Sequence, residues 1–224
     1  MKTRFWFALL CCSHLVVASG QELFEQRDDG FVRALDDSYL RGLNFLQVKQ
    51  EDSGGWRDSS YGSEPGVMGM AILAFLSRGD DPEFGPYSNA ISRSVQAILK
   101  KQNQETGYIG SSMYNHGFAT LALAEFYGMT NDQRIGPALL KATRLILSAQ
   151  TRNPKGGWRY SPESKDADIT VSGAQMIALF AARNAGIQVP DEAIEKGKLF
   201  ILSCQDDSGG FGYQTSSGAN LPRT

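Results

Sequence analysis

The chain has 224 residues, 22 of them basic and 24 acidic, for a formal net charge of −2. Both signs are scattered along it, and the basic stripe expected of a nucleic-acid-binding protein is absent. With 3 cysteines and 2 histidines in all, the composition leaves little room for redox or metal chemistry.

In chain order, the first element is a secretory signal over residues 1–20. Lys2 and Arg4 supply a basic start, Phe5–Val17 an apolar stretch, and Ala18-Ser19-Gly20 a small-residue cleavage site. The apolar stretch is shorter than the roughly 20 residues a membrane-spanning helix needs. No later segment is long and apolar enough to span a membrane, so the expected location is periplasmic or secreted. Cleavage removes two positive charges, taking the net charge from −2 to −4, together with Cys11, Cys12 and His14. Cys204 and His116 remain. An internal disulfide and a Cys/His-rich zinc site are thereby excluded, and no cofactor is predicted.

Residues 21–224 read as one domain with an internal period of roughly 50 residues. Gln50, Gln102, Gln150 and Gln205 open the loops "QEDSGGW", "QNQETGY", "QTRNPKGGW" and "QDDSGGF". Four residues before each stands Leu46, Ile98, Ile146 or Ile201, and five before, Phe45, Ala97, Leu145 or Phe200. Eight before stands a small residue (Gly42, Ser94, Ala142, Gly197), and nine before a basic one (Arg41, Arg93, Lys141, Lys196). That spacing puts the small and apolar positions on one helical face, so each glutamine closes an amphipathic helix and the glycines break it. More apolar segments follow at Val67–Arg78, Phe118–Tyr127 and Ile169–Ala185, with Gly79, Gly128 and Gly186 as expected stops. Without sustained period-2 alternation, no sheet is expected. Apolar and charged helices alternate, which predicts an inner and an outer layer.

Basic, small, aromatic or apolar, then Gln and Gly-Gly-Trp resembles the QW repeat of squalene and oxidosqualene cyclases. Arg41-Gly42 through Trp56 fits it closely, and Lys196-Gly197 through Phe211 fits with Phe for Trp; in the second copy Tyr108 takes the Trp place. The resemblance, to the squalene cyclase and prenyltransferase-repeat superfamily in a bacterial, exported form, implies an all-α, α/α-toroid fold of helical hairpins. The fourth loop is followed by "SSGANLPRT", so the ring is expected to be incomplete at about four units. It would continue beyond Thr224 in a longer chain, or associate with a partner through its open edge. Gln50, Trp56, Gln150, Trp158 and Gln205 read as fasteners between repeats.

In toroids of this kind, functional groups sit at the N-terminal ends of inner helices, where unpaired N–H groups favour anions. Those ends read "YGSEPG", "MYNHG" and "DADIT". "DADIT" resembles the Asp-x-Asp-Asp-Thr motif of squalene–hopene cyclases, with Ile169 in place of the last Asp. The resemblance implies acid-initiated cyclisation of an isoprenoid, with Asp168 as proton donor and Asp166 as its helper. The alternative is that Asp168 simply caps its helix. His116 is a catalytic or a hydrogen-bonded structural candidate, and Glu64, Tyr61 and Tyr114 are candidates for substrate binding. The partner expected is an isoprenoid or other apolar small molecule. The competing functions are a non-catalytic binding or scaffold module and a carbohydrate-active α/α-barrel enzyme working through paired carboxylates.

Overall fold

The computed structural model describes residues 29–58, 60–130, 132–215 and 218. The signal reading over residues 1–20, and most of the stretch after the fourth loop, lie outside the described residues. Residues 1–40 and 41–224 form separate compact units, the division falling within the first helix. The smaller unit contributes the start of that helix to the described structure.

The helices are α1 (Asp29–Lys49), α2 (Pro65–Leu76), α3 (Ser88–Lys101), α4 (Met113–Thr130), α5 (Ile135–Arg152), α6 (Ile169–Asn184) and α7 (Asp191–Leu202). Among the described residues there is no strand, only three isolated antiparallel bridges. The chain is all-helical, as the periodicity predicts. In the larger unit α2, α4 and α6 pack side by side in chain order, α4 between the other two. Helices α3, α5 and α7 flank this central row, each packed against it. The division follows composition: Met68, Ile72, Phe75, Ala119, Leu123, Val171 and Leu179 of the central helices are buried, while the flanking helices bury one face only.

Two details differ from expectation. Gly79 and Gly186 do end their helices with left-handed φ of 82° and 87°. Helix α4 instead runs through Gly128 to Thr130, whose hydroxyl donates to the Phe126 carbonyl. The Trp place in the second unit belongs to Ile109 rather than Tyr108. Ile109 is fully buried and bridged to Gln102, as Trp56 is to Gln50 and Phe211 to Gln205.

The joint between units is the same each time. The side-chain amide of Gln50 donates to the carbonyl of Gly54 in its own loop (3.2 Å) and of Ala90 in the next flanking helix (2.9 Å). Gln102 does this with Gly107 (3.1 Å) and Ala138 (2.8 Å), and Gln150 with Gly156 (2.8 Å) and Ala193 (2.9 Å). Residues 90, 138 and 193 each stand twelve before the next glutamine, 102, 150 and 205. The loop glycine must have left-handed φ, 85° at Gly54 and 79° at Gly107. At these two joints it must also lack a side chain, because a Cβ would lie 2.5 Å from the Arg93 carbonyl oxygen or 2.6 Å from that of Lys141, whereas at Gly156 a Cβ would lie 3.4 Å from the Lys196 oxygen.

The small position eight before Gln205 is explained by the same joint. A Cβ on Gly197 would lie 2.3 Å from Met176 Sδ and 3.2 Å from the Trp158 ring. The Trp indoles fasten their own helix: Trp56 Nε1 donates to Leu46 O and Trp158 Nε1 to Ile146 O, each at 2.8 Å. Gln102 and Gln150 are buried, whereas Gln205 is exposed and its amide meets only Gly209 O (2.9 Å) among the described residues. Gln150→Ala is therefore expected to lower unfolding stability by about 1–3 kcal/mol, since it strands buried carbonyls. Gln205→Ala should cost about 0.5 kcal/mol or less. Urea denaturation at low protein concentration measures both.

Candidate functional site

The N-terminal ends of α2, α4 and α6 carry the residues the sequence singles out. Asp168 is the N-cap of α6, with φ −132° and ψ 157°. Its Oδ1 accepts from the N–H groups of Thr170 (3.0 Å) and Val171 (2.9 Å) and from the Thr170 hydroxyl (2.7 Å). This is the geometry of a cap, which satisfies helix-end donors. The residue is fully buried, and Asp168 Oδ2 has no hydrogen-bond partner among the described residues. Asp166, the expected helper, turns to Arg159 instead (3.0 Å) and is largely exposed.

His116 lies in the first turns of α4 and is fully buried. Its Nδ1 accepts from the Ile109 N–H (3.1 Å), so the proton resides on Nε2, which donates to the Ala142 carbonyl of α5 (3.1 Å). Ser172, four residues into α6, does the same for the third loop, accepting the Trp158 N–H at 2.9 Å. Each side chain receives the N–H of the residue in the Trp place, so His116 and Ser172 are counterparts. Burial holds the His116 pKa down at about 4, against a weaker opposing pull from the Ala142 carbonyl. Both ring nitrogens are committed to the joint.

Glu64, the residue before α2, accepts from Asn115 Nδ2 (2.6 Å) and the Ser111 hydroxyl (3.2 Å). Asn115 Oδ1 in turn accepts the Gly66 N–H at 3.0 Å, capping α2 from the neighbouring helix. The Tyr114 hydroxyl meets Thr170 Oγ1 at 2.5 Å, linking α4 to α6. Tyr61 lies apart and exposed, on an apolar groove with Phe45, Trp56 and Met70. Glu64, His116 and Asp168 therefore stand near three different helix ends, and only Asp168 caps its own helix.

Two further residues complete the site. The first N–H of α4, on Met113, donates to the Tyr160 carbonyl (2.9 Å), and that of α6, on Ile169, to the Tyr213 carbonyl (3.0 Å). The tyrosines stand two residues beyond Trp158 and Phe211, in "GGWRY" and "GGFGY", a recurrence the sequence reading missed. Their hydroxyls are hydrogen-bonded to each other. Arg159 lies over both rings, 5.0 and 5.6 Å from the centroids, and Tyr114 packs against Tyr160 at 6.1 Å. Burial, then the Tyr160 hydroxyl and the charge of Asp168, raise the Tyr213 phenol above its ordinary range. Cys204, buried nearby, is raised by burial first and by the same carboxylate. The result is a partly exposed face of three tyrosines and one arginine above two helix N-termini.

A separate groove of about 590 Å³ runs beside α5, lined by Tyr108, Arg144, Leu145, Arg152 and Glu163 among others. Burial and Glu163 push the Tyr108 phenol up to about 12, and its ring packs 5.5 Å from that of His116. This groove lies on the flanking side.

The His116 environment fixes a pH dependence. Between the ordinary histidine value of 6.5 and about 4, only the unfolded chain takes up this proton. Stability is complete above that window and falls as pH drops through it, by on the order of 3 kcal/mol. Urea unfolding across this range should show the slope in wild type and not in His116→Ser, which copies Ser172 at lower overall stability.

A family model described as a domain of unknown function, DUF6288, matches residues 41–216. No curated protein matches the chain.

Proposed function

We propose that this chain, which belongs to the DUF6288 family, is an exported helical repeat module of the α/α-toroid kind that binds rather than catalyses. The order of packing supports the toroid reading: central helices neighbour one another in sequence, and each flanking helix leans on that row. One observation carries the non-catalytic reading. The acids and base at the helix ends are engaged in holding the structure together: Asp168 Oδ1 caps α6, His116 spends both nitrogens on backbone, and Glu64 holds Asn115. A general acid or base must be free to exchange a proton with a substrate atom within reach. The binding face is that of Tyr114, Tyr160, Tyr213 and Arg159, whose rings offer apolar surface with a cation alongside. Its ligand class is an apolar small molecule.

A second reading, acid-initiated isoprenoid cyclisation, is favoured by a single atom. Asp168 Oδ2 is buried without a partner among the described residues, a position in which a carboxylic proton would be shielded from water.

The two readings separate experimentally. Under the binding reading, Asp168→Ala costs about 1 kcal/mol of stability and Asp168→Asn less, because Asn caps nearly as well. Wild type incubated with squalene then yields no cyclised product, while apolar ligands still perturb the tyrosine fluorescence of both wild type and Asp168→Asn. Cyclised product from wild type, lost in a folded Asp168→Asn, would replace the binding reading with the cyclase one.

A further inference from the structure

The joint between units has two halves, and among the described residues the larger unit shows one unmatched copy of each. In the flanking layer, a loop glutamine and a left-handed glycine fit against the next helix at its basic and small positions. In the central row, a glycine five residues into each helix receives the next helix at its sixth position. A Cβ on Gly69 would lie 2.6 Å from the Phe118 carbonyl oxygen, and one on Gly117 2.6 Å from Gln175 Nε2 and 3.3 Å from the Ala174 carbonyl carbon.

At the α6 edge the loop half recurs without its counterpart. Gly173 is the equivalent of Gly69 and Gly117, yet among the described residues a Cβ there meets nothing within 4 Å. Gly209 has the same left-handed φ, 85°, and a Cβ on it would meet only Gln205 Nε2, at 4.0 Å. Gln205 is exposed, and beside this edge Ile177 and Phe180 are 44% and 40% exposed. At the opposite edge stands the helix half. Arg41, Gly42, Phe45 and Leu46 repeat the basic, small and apolar positions of α3, α5 and α7. A Cβ on Gly42 meets nothing within 4 Å, and Phe45 is 59% exposed. Met70, which matches Phe118 and Ala174 in register, is 55% exposed and lines a groove of about 430 Å³ with Phe45, Trp56 and Tyr61.

We propose that the chain associates head to tail with a second copy of itself. The α6 edge and fourth loop of one copy receive Arg41–Leu46 of α1 and the Met70 side of α2 from the next. Gln205 and Gly209 then do for the incoming helix what Gln150 and Gly156 do for α7, and Gly173 receives Met70 as Gly69 receives Phe118. The repeated internal joint names the occupant, because the residues each edge fits are those the other edge displays. Such a contact is heterologous, so each copy keeps one free edge of each kind until a ring closes. The proposal rests on the joint alone and is independent of what the tyrosine face binds.

The test uses Gly42→Arg and Gly173→Arg in the full chain. Both positions have open space and lie within helices, so at a protein concentration low enough for wild type to be monomeric each variant should melt at or above the wild-type temperature. Wild type should show concentration-dependent sedimentation beyond monomer, and each variant alone should sediment as a monomer. Mixed together, the two variants each retain the edge the other lacks, and a 1:1 complex should form and stop there. A monomeric wild type, a variant that still self-associates, or a mixture that stays monomeric would each overturn the proposal.

Discussion

Everything in the larger unit hangs on how a left-handed glycine loop is joined to the helix that follows it. A loop that turns through positive φ leaves its glycine carbonyl pointing into the structure, and the next flanking helix approaches too closely for water to satisfy it. One glutamine amide meets both needs, donating to the loop carbonyl and to a helix carbonyl twelve residues before the next glutamine. An amide suits this position because its NH₂ carries two donors on one rigid group. Once that distance is set, the glycine without a Cβ, the small residue eight before the next glutamine, and the step from one helix to the next follow from space alone.

The same economy governs the helix ends where chemistry was expected. Each central helix presents unpaired N–H groups, and the neighbouring unit supplies acceptors, Asn115 for α2, the Tyr160 carbonyl for α4 and the Tyr213 carbonyl for α6, the last alongside the helix's own cap Asp168. These polar side chains are close to the partners that need them, and burial removes the competition of water. Their job as linkers accounts for their residue types without a reaction. What remains exposed above these ends is aromatic surface with an arginine, the face proposed to bind.

His116 illustrates how a residue's role depends on its position in the unit rather than on its chemistry. A lone histidine at a helix mouth reads as a candidate base. Its counterpart is Ser172, a hydroxyl that does the same work of receiving a loop N–H. Equivalence between a histidine and a serine is invisible in side-chain type and appears only when the two units are superposed through their hydrogen bonds.

The sequence by itself determined the repeat, the all-helical class, the alternation of apolar and amphipathic helices, and the glutamines and glycines that join them. Those properties are local or periodic, and periodicity survives in one dimension. It also held an unread clue, the tyrosine two places beyond Trp158 and Phe211. What only the tertiary structure decided is which partner each polar group meets: that Ile109 fills the Trp place, that Asp166 turns to Arg159, that His116 faces α5, and that Asp168 leaves one oxygen unpaired. Those choices depend on how loops and helices bring, or fail to bring, polar groups to about 3 Å of one another, a distance set by packing that no spacing along the chain encodes.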